Sequence, residues 1–134
     1  MSDLSRRGPR ADVELRLPAS GAYASVLRTT TAGLAARLDF TIDDIEDLRI
    51  AIDEASSMVL PDADPDSDLT CHYYLAPQRM TIEVSVRSAA PPEPDLDSFT
   101  WQVLSTLAQA EVRTDGGRLR VRLTVESSLA GTGP

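Results

Sequence analysis

The sequence predicts an α+β fold, a two-layer α/β sandwich in which three helices cover one face of a mixed or antiparallel sheet. Three observations support this prediction. A chain of 134 residues is long enough to bury one core of its own. Apolar residues alternate with a period of two in some segments and recur every three or four residues in others. These segments follow in the order strand, helix, helix, strand, strand, helix, strand, strand, which is typical of helices layered on a sheet.

The first strand and the first helix are predicted within residues 13–38. Residues 13–17, Val-Glu-Leu-Arg-Leu, alternate apolar and polar side chains, as a half-buried strand does. Ser20 is a residue type that caps helices, and it precedes the next segment. We expect the buried stripe of that helix to consist of Tyr23, Val26, Leu27, Thr30, Leu34 and Leu38.

The second helix is predicted to run from Thr41 to Leu60. Thr41 supplies a side-chain cap, and Asp43 and Asp44 place negative charge in the first turn, so both features favour a helix start. Apolar residues then recur at alternating steps of three and four. The expected buried stripe is Ile45, Leu48, Ile52, Ala55 and Val59.

The rest of the chain is predicted to form two hairpins and a third helix. Prolines and aspartates make residues 61–68 a loop. The remaining elements are strands at 69–75 and 80–86, a proline-rich linker at 88–94, a helix at 98–110, and strands at 111–113 and 119–125 joined by a turn at 115–117. The domain boundaries we expect are a flexible N-terminus at 1–10, one domain at 11–126 and a flexible C-terminal tail at 127–134.

The charge of the chain argues against nucleic acid as a partner. The formal net charge is -8, and all thirteen basic residues are arginine. Eleven of the 21 carboxylates fall between Asp39 and Asp68, where Arg49 is the one basic residue. A phosphate backbone would be repelled by such a surface, whereas a basic protein would be attracted.

Cysteine, histidine and hydropathy point to an ordinary cytoplasmic protein. Cys71 is the only cysteine, so no disulfide can form within the chain. His72 lies beside it in a predicted strand, without further residues at metal-ligand spacing, so we expect no metal site. No apolar run approaches the length of a membrane span, and we expect no membrane association.

The segment from Asp47 to Leu60, DLRIAIDEASSMVL, resembles the N-box helix of the bacterial anti-sigma factor and serine-protein kinase family. This family belongs to the histidine-kinase-like (GHKL, Bergerat-fold) ATPases, and the order of elements over residues 12–126 is also similar. The resemblance implies a Bergerat-like fold. It also implies an alternative sigma factor and a STAS-type anti-anti-sigma factor as partners, and ATP with Mg²⁺ in catalytically active members.

Two positions in this helix carry over from the family's motif. Glu54 matches the family's Glu, which orients or deprotonates the attacking group, and is the candidate vestigial base. Met58 stands where the family has the Asn that coordinates Mg²⁺. A thioether is a poor ligand for Mg²⁺, which demands hard oxygen donors. The metal site is therefore expected to be lost, and the chain is identified as an actinobacterial-type member with degenerate nucleotide-binding boxes.

The other two nucleotide boxes also depart from the family's pattern. The family has Asp-x-Gly-x-Gly after a Val-Arg strand end, and here Val86-Arg87 leads to Ser88-Ala-Ala-Pro-Pro. Ser88 thus occupies the adenine-reading position, while proline cannot adopt the positive φ that glycine provides. The region of the glycine-rich lid contains no glycine, and residues 98–104 place an aromatic helix there. We expect ATP and Mg²⁺ binding to be weak or lost.

Partner-binding residues are expected on the three helices. An interface arginine of the family aligns near Ser25, and Arg28 lies one turn further on, where it serves either a partner or the solvent. The acidic start of the second helix either steers a basic partner or complements the helix dipole. The candidate partner-binding residues are Ser25, Arg28, Asp43, Asp44, Asp47 and Trp101.

Three functions remain open at this point. The first is a non-catalytic anti-sigma factor that sequesters a sigma factor and is antagonised by a STAS-domain protein. The second is an active serine-protein kinase that phosphorylates the antagonist through Glu54 and an unconventional metal site. The third is a module that senses another ligand in a pocket remodelled by residues 88–101. A homodimer is expected from the family resemblance.

Overall fold

The computed structural model describes residues 10–130, and these form a five-stranded sheet with three α-helices. The strands are β1 (Val13–Pro18), β2 (Asp68–Ala76), β3 (Arg79–Arg87), β4 (Gln109–Asp115) and β5 (Arg118–Glu126). The helices are α1 (Ala24–Arg37), α2 (Ile42–Val59) and α3 (Phe99–Leu107). Short 3-10 helices at Gly21–Tyr23 and Leu60–Asp62 flank α1 and α2. The predicted fold class and order of elements are confirmed.

The sheet is antiparallel throughout, with the strand order β1-β2-β3-β5-β4. Of the two arrangements expected, mixed or antiparallel, the second is therefore the correct one. Strands β2 and β3 form one hairpin and β4 and β5 another, and β5 joins them by pairing with β3. The order places the proline-rich segment 88–98 and α3 above the β3–β5–β4 half of the sheet.

The core lies between the helices and one face of the sheet. Alternate side chains of β2, β3 and β5 point into it, and Tyr73, Ile82 and Val121 are among those with no exposed surface. Helix α2 is the central helix, because it packs against both α1 and α3 as well as against the sheet. Burial of this apolar face is what holds a helix of marginal intrinsic stability in place.

Helix α2 follows its prediction closely. Thr41 Oγ1 accepts a hydrogen bond from the amide of Asp44, and the Asp44 carboxylate accepts one from the amide of Thr41. This reciprocal pair is a capping box, which satisfies donors that the first helical turn leaves open. Leu48, Ile52, Ala55 and Val59 are buried as expected, whereas Ile45 is half-buried.

The predicted face of α1 is wrong in part. The buried residues are Leu27, Thr31 and Ala35, while Tyr23 and Val26 are 39% and 42% exposed. The Thr31 hydroxyl donates to the carbonyl of Leu27 and bonds the Tyr73 hydroxyl at 2.7 Å, so a polar residue occupies the core side. Ser20 does cap, but it caps the 3-10 turn that precedes α1, by accepting from the amide of Ala22.

Replacing Tyr73 with phenylalanine is expected to lower the free energy of unfolding by about 1–2 kcal/mol, because Thr31 loses a buried hydrogen-bond partner. Burial is the main reason that the pKa of Tyr73 is raised, so the hydroxyl stays neutral and bonded. Urea unfolding measures the change. Tyr74→Phe is the control, since Tyr74 is less buried and keeps its ring against Arg122; an equal loss there would contradict the prediction.

Helix α3 is shorter than expected, and the strand after it is longer. The helix begins at Phe99 behind a Ser98 cap and ends at Leu107, instead of continuing to residue 110. Ala108 is already extended, because the next residues pair with β5 from Gln109↔Thr124 onward. Pairing with the open edge of β5 therefore outweighs the local preference of residues 108–110 for helix. The predicted turn is confirmed, since Gly116 and Gly117 both have positive φ.

The expected flexible termini are only partly covered by the structure. Residues 1–9 and 131–134 lie outside the described residues, but residues 127–130 differ from the expectation. Ser127 is 3% exposed, and its amide donates to the carbonyl of Gln78. The amide of Ser128 donates to the Asp44 carboxylate at 2.9 Å, so the start of this tail is fastened to the start of α2.

The pH dependence of stability should report on this contact. Burial alone would raise the pKa of Asp44, but hydrogen bonds from Ser128 and Thr41 outweigh it and lower the pKa below 3.8. A carboxylate with a lowered pKa stabilises the fold above its unfolded pKa and loses that effect as the pH falls. Asp44→Asn is therefore expected to cost on the order of 1 kcal/mol at pH 7, in the range for such hydrogen bonds. The difference from wild type should shrink below pH 3.8.

The matched control is Asp43→Asn, because Asp43 is an exposed neighbour in the same first turn and makes neither contact. Thermal unfolding followed by circular dichroism at several pH values measures both variants. If Asp43→Asn shows the same pH-dependent loss, the dipole of α2 and not the Ser128 contact is responsible.

Candidate functional site

A cleft of about 370 Å³ opens between the C-terminal end of α2, the segment before α3, and strands β4 and β5. Its floor is apolar, formed by Met58, Val112, Leu119 and Val121. Met58, from the N-box segment, and Pro92, from the segment after β3, both line this cleft.

The rim of the cleft is acidic. Asp62, Glu93 and Asp95 line it, and no arginine does. Within residues 10–130, none of the three carboxylates forms an ion pair. The cleft therefore offers negative charge above an apolar floor, which disfavours an anionic ligand and favours a cationic or neutral one. Asp62 and Glu93 carry little signal in the sequence. Asp62 lies four residues after Met58, and Glu93 stands between two prolines.

The two N-box residues differ in their relation to the cleft. Met58 is half-buried and lines the cleft together with Ser57. Glu54, one turn earlier on α2, is also half-buried but is not among the lining residues. A thioether therefore faces the space in which a Mg²⁺ ligand would be needed, and the soft sulfur does not suit that ion.

Ser88 does not reach the cleft. It is 2% exposed, and its amide donates to the carbonyl of Gly117 at 2.9 Å. The next amide, of Ala89, donates to the Asp64 carboxylate. The end of β3 is thus tied to the β4–β5 turn and to the loop before β2. Pro92, at one of the family's glycine positions, lines the cleft instead.

Helix α3 occupies the region in which the family resemblance implies a glycine-rich lid. Ser98 caps it by accepting from the amide of Trp101, and Ser98 and Thr100 face the cleft. Trp101 is half-buried and packs against the core, so it presents little surface to a partner. The exposed aromatic of this helix is Phe99, at 72%. Periodicity alone could not separate the two, because α3 is apolar over most of its circumference.

The candidate partner surface on α1 is only partly free. Ser25 is exposed and lies with Val26, Thr29 and Thr30 around a shallow depression of about 250 Å³. Arg28 instead forms an ion pair with Asp53 of α2, with Nη1 and Oδ1 2.9 Å apart. Arg28 therefore has a structural role in joining the two helices. An exposed pair of this kind contributes little to stability, so it does not prevent a partner from competing for the arginine.

The acidic start of α2 divides into free and engaged carboxylates. Asp43 and Asp47 are exposed, and within residues 10–130 neither forms an ion pair. Asp44 is engaged by Thr41 and Ser128, so its main role is structural. Glu46 lies 4.0 Å from Arg49 on the next turn. Of the candidate partner-binding carboxylates, Asp43 and Asp47 are therefore the two that are exposed and form no ion pair within residues 10–130.

Cys71 and His72 do not form a reactive site. Cys71 is buried, and burial raises the pKa of its thiol to about 12, so the reactive thiolate is suppressed. His72 Nε2 lies 3.3 Å from Glu14 on the outer face of the sheet. In the part of the chain that the structure describes, no three potential ligands cluster as a metal would require.

Curated relatives match roughly half of the chain. The serine-protein kinase RsbW of Bacillus cereus is 36% identical over 75 residues, which cover 54% of this chain and 47% of the relative. The serine-protein kinase RsbW of Halalkalibacterium halodurans is 35% identical over 88 residues, 65% of this chain and 52% of the relative. The chain is homologous to the RsbW serine-protein kinases. The family resemblance inferred from the N-box segment is thereby confirmed.

The extent of these matches limits what they transfer. The chain spans about half the length of the RsbW relatives it matches. No family model matches the chain. The similarity to RsbW therefore concerns this domain, and the activity and partners of the chain depend on its own residues.

The fold agrees with this relationship. The crystal structure of the RsbU and RsbW domains of Rv1364c from Mycobacterium tuberculosis matches with a TM-score of 0.65 over 85% of this chain and 32% of that protein. At 17% sequence identity this match concerns the fold alone. Among residues 10–130, no helix is long and apolar enough to cross a bilayer.

Proposed function

We propose that this RsbW homologue acts as an anti-sigma factor that sequesters an alternative sigma factor, is antagonised by a STAS-type anti-anti-sigma factor, and has no ATP-dependent kinase activity of its own. The observation that carries the proposal is the cleft, which is lined by Met58 and by three rim carboxylates. A domain with this fold but no usable nucleotide site can still regulate a partner protein by binding it.

The chemistry of the cleft opposes Mg-ATP in three ways. The three rim carboxylates repel the triphosphate, and no lining arginine compensates. The sulfur of Met58 cannot complete the oxygen shell that Mg²⁺ demands. The prolines at 92 and 94 offer no amide protons to cradle phosphate, as a glycine-rich loop would. Each deficit alone would weaken the complex, and all three act on the same ligand.

Partner binding is supported by the outer surface of the helical layer. Tyr23, in the 3-10 turn before α1, and Val26 of α1 are exposed apolar residues close to Ser25 in the chain, and an aromatic and an aliphatic side chain of this kind suit an interface core. Asp43 and Asp47 add negative charge at the start of α2. A basic surface on the partner would be steered toward them. Association between copies of the chain remains a prediction, as does the cytoplasmic location.

Co-purification tests the proposal directly. The full chain is recovered from its native cell and washed with a chelator and apyrase to remove metal and nucleotide, and the retained proteins are identified by mass spectrometry. We expect a sigma factor to remain bound after the wash and a STAS-domain protein to displace it. If neither class of protein is recovered, the proposed function is wrong.

The alternative is an active serine-protein kinase. Glu54 favours this alternative. It stands at the position of the family's catalytic base, and it is half-buried and forms no ion pair among residues 10–130. Incubation with labelled ATP, Mg²⁺ and the co-purified STAS protein separates the two functions. Phosphate transfer that Glu54→Gln abolishes would establish the kinase, whereas the proposed function predicts no transfer.

A further inference from the structure

The outer face of the sheet, which the helices do not cover, carries most of the arginines of the domain. Strand register places them in rows. Arg16 of β1, Thr70 of β2, Ser85 of β3 and Arg120 of β5 form one row across the sheet. In the next row Arg87 of β3 lies directly opposite Arg118 of β5. Like charges directly opposite each other destabilise a strand pair, so this arrangement needs an explanation.

Arginines in neighbouring rows have carboxylate partners that these two lack. Arg120 contacts Asp115 at 3.0 Å and Glu83 at 3.2 Å. Arg122 lies 3.5 Å from Glu83. Among the described residues, Arg87 and Arg118 form no ion pair, and Arg118 donates only to the hydroxyl of Ser85, at 2.9 Å. Two arginines therefore face each other across the β3–β5 pair without a salt bridge, although Asp115 of β4 lies opposite Arg118 in the strand register.

The two unpaired arginines and Arg16, whose guanidinium lies 3.5 Å from the Glu14 carboxylate, surround a depression of about 410 Å³. Arg16, Arg87 and Arg118 line its walls, and Thr70 lies at its floor. Ser85, beside Thr70 in the same row, is 2% exposed, and Thr70 is 7% exposed. Burial lowers the pKa of Arg118, and the nearby Arg120, Arg87 and Arg16 lower it further.

We propose that this depression is a binding site for a tetrahedral oxyanion, either inorganic phosphate or the phosphate group of a monoester. Three guanidinium groups present a fork of donors to such an anion, and arginine matches phosphate geometry with paired hydrogen bonds. The hydroxyl of Thr70, which lines the depression, adds a further donor. The bound anion would also remove the repulsion between Arg87 and Arg118. This site is on the opposite face from the cleft and does not depend on the proposed function.

Two carboxylates at the edge of the depression set a limit on its affinity. Asp66 and Asp68 line it, but within residues 10–130 neither forms an ion pair with the three arginines. They reduce the local positive charge without neutralising it. Replacing one of these carboxylates should strengthen anion binding, whereas replacing an arginine should weaken it.

The test is a titration of the full, ¹⁵N-labelled chain with sodium phosphate at constant ionic strength, followed by amide chemical shifts. We expect saturable shifts at Thr70, Ser85, Arg87 and Arg118. Arg118→Gln and Arg87→Gln should each weaken binding about tenfold, as the loss of one charge-assisted hydrogen bond would. Asp68→Asn should strengthen it severalfold. Arg113→Gln is the control. Arg113 of β4 lies on the same outer face of the sheet, forms an ion pair with Glu111 and is outside the depression.

A second arm separates the two sources of the anion. Phosphoserine is titrated in the same way, and tighter binding than that of inorganic phosphate assigns the site to a phosphate monoester, whereas equal or weaker binding assigns it to the free ion. Thermal unfolding of each variant without phosphate confirms that it is folded, and the Arg87→Gln variant should unfold no earlier than wild type. If phosphate produces no saturable shifts, or if Arg113→Gln weakens binding as much as Arg118→Gln, the proposal is overturned.

Discussion

Replacing Ile52 with alanine is expected to lower the free energy of unfolding by about 2–5 kcal/mol, the range for truncating a large side chain in a packed core. Ile52 has no exposed surface, and it lies on the sheet side of α2, the helix that joins α1, α3 and the sheet. The neighbouring core is too closely packed to collapse into the space that the mutation leaves. Because a domain of this size has a total stability of about 5–15 kcal/mol, the variant would lose a large fraction of its stability.

Ile50 provides the matched control on the same helix. It is the same residue type two positions earlier, but it is 46% exposed, so Ile50→Ala should change stability by less than about 1 kcal/mol. Chemical unfolding of both variants, followed by circular dichroism, measures the difference. Equal losses for the two variants would mean that the assignment of the buried face of α2 is wrong.

Introducing a charge at Val26 is expected to weaken binding of the protein partner by roughly 30- to 150-fold, corresponding to about 2–3 kcal/mol for the loss of a well-placed interface contact. Val26 is 42% exposed and lies beside Ser25 in the depression on α1. An aspartate at position 26 would lose its hydrating water when the partner binds. We expect the same partner to contact Asp43 and Asp47. Since Val26 is outside the core, Val26→Asp should leave the unfolding temperature nearly unchanged.

The affinity for the co-purified sigma factor, measured by surface plasmon resonance, checks this result. Phe99→Asp on α3 is the companion variant, because Phe99 is another exposed apolar side chain on a different helix. We expect the larger loss at Val26. If Phe99→Asp abolishes binding and Val26→Asp does not, the partner docks on α3 and the assignment of α1 as the interface is incorrect.

The fold could be predicted from the sequence wherever burial follows size and apolarity. Helix α2 is such a case, because Leu48, Ile52, Ala55 and Val59 recur on one stripe, and the capping residues mark its start. Helix α1 is not, because the core side holds Thr31 and Ala35 while larger residues lie outside. Only the position of the Tyr73 hydroxyl makes a buried threonine favourable there, and that position depends on the tertiary structure.

The candidate site was predictable in its chemistry but not in its geometry. Met58 was singled out because the resemblance implies a metal ligand at its position, and it lines the cleft. The sequence could not show that Ser88 is tied to Gly117, or that Asp44 is bound by Ser128, because these contacts join distant segments. The facing pair Arg87 and Arg118 was hidden for the same reason, as it depends on the register between β3 and β5.

The loss of nucleotide binding can be tested by isothermal titration calorimetry of the full chain with Mg-ATP, using the serine-protein kinase RsbW of Bacillus cereus as the positive control. The acidic rim of the cleft and the thioether of Met58 predict no saturable heat at millimolar nucleotide, under conditions in which the RsbW control binds. A one-to-one isotherm that Met58→Asp or Ser57→Asp perturbs would contradict the claim, because it would place a working nucleotide site in the cleft.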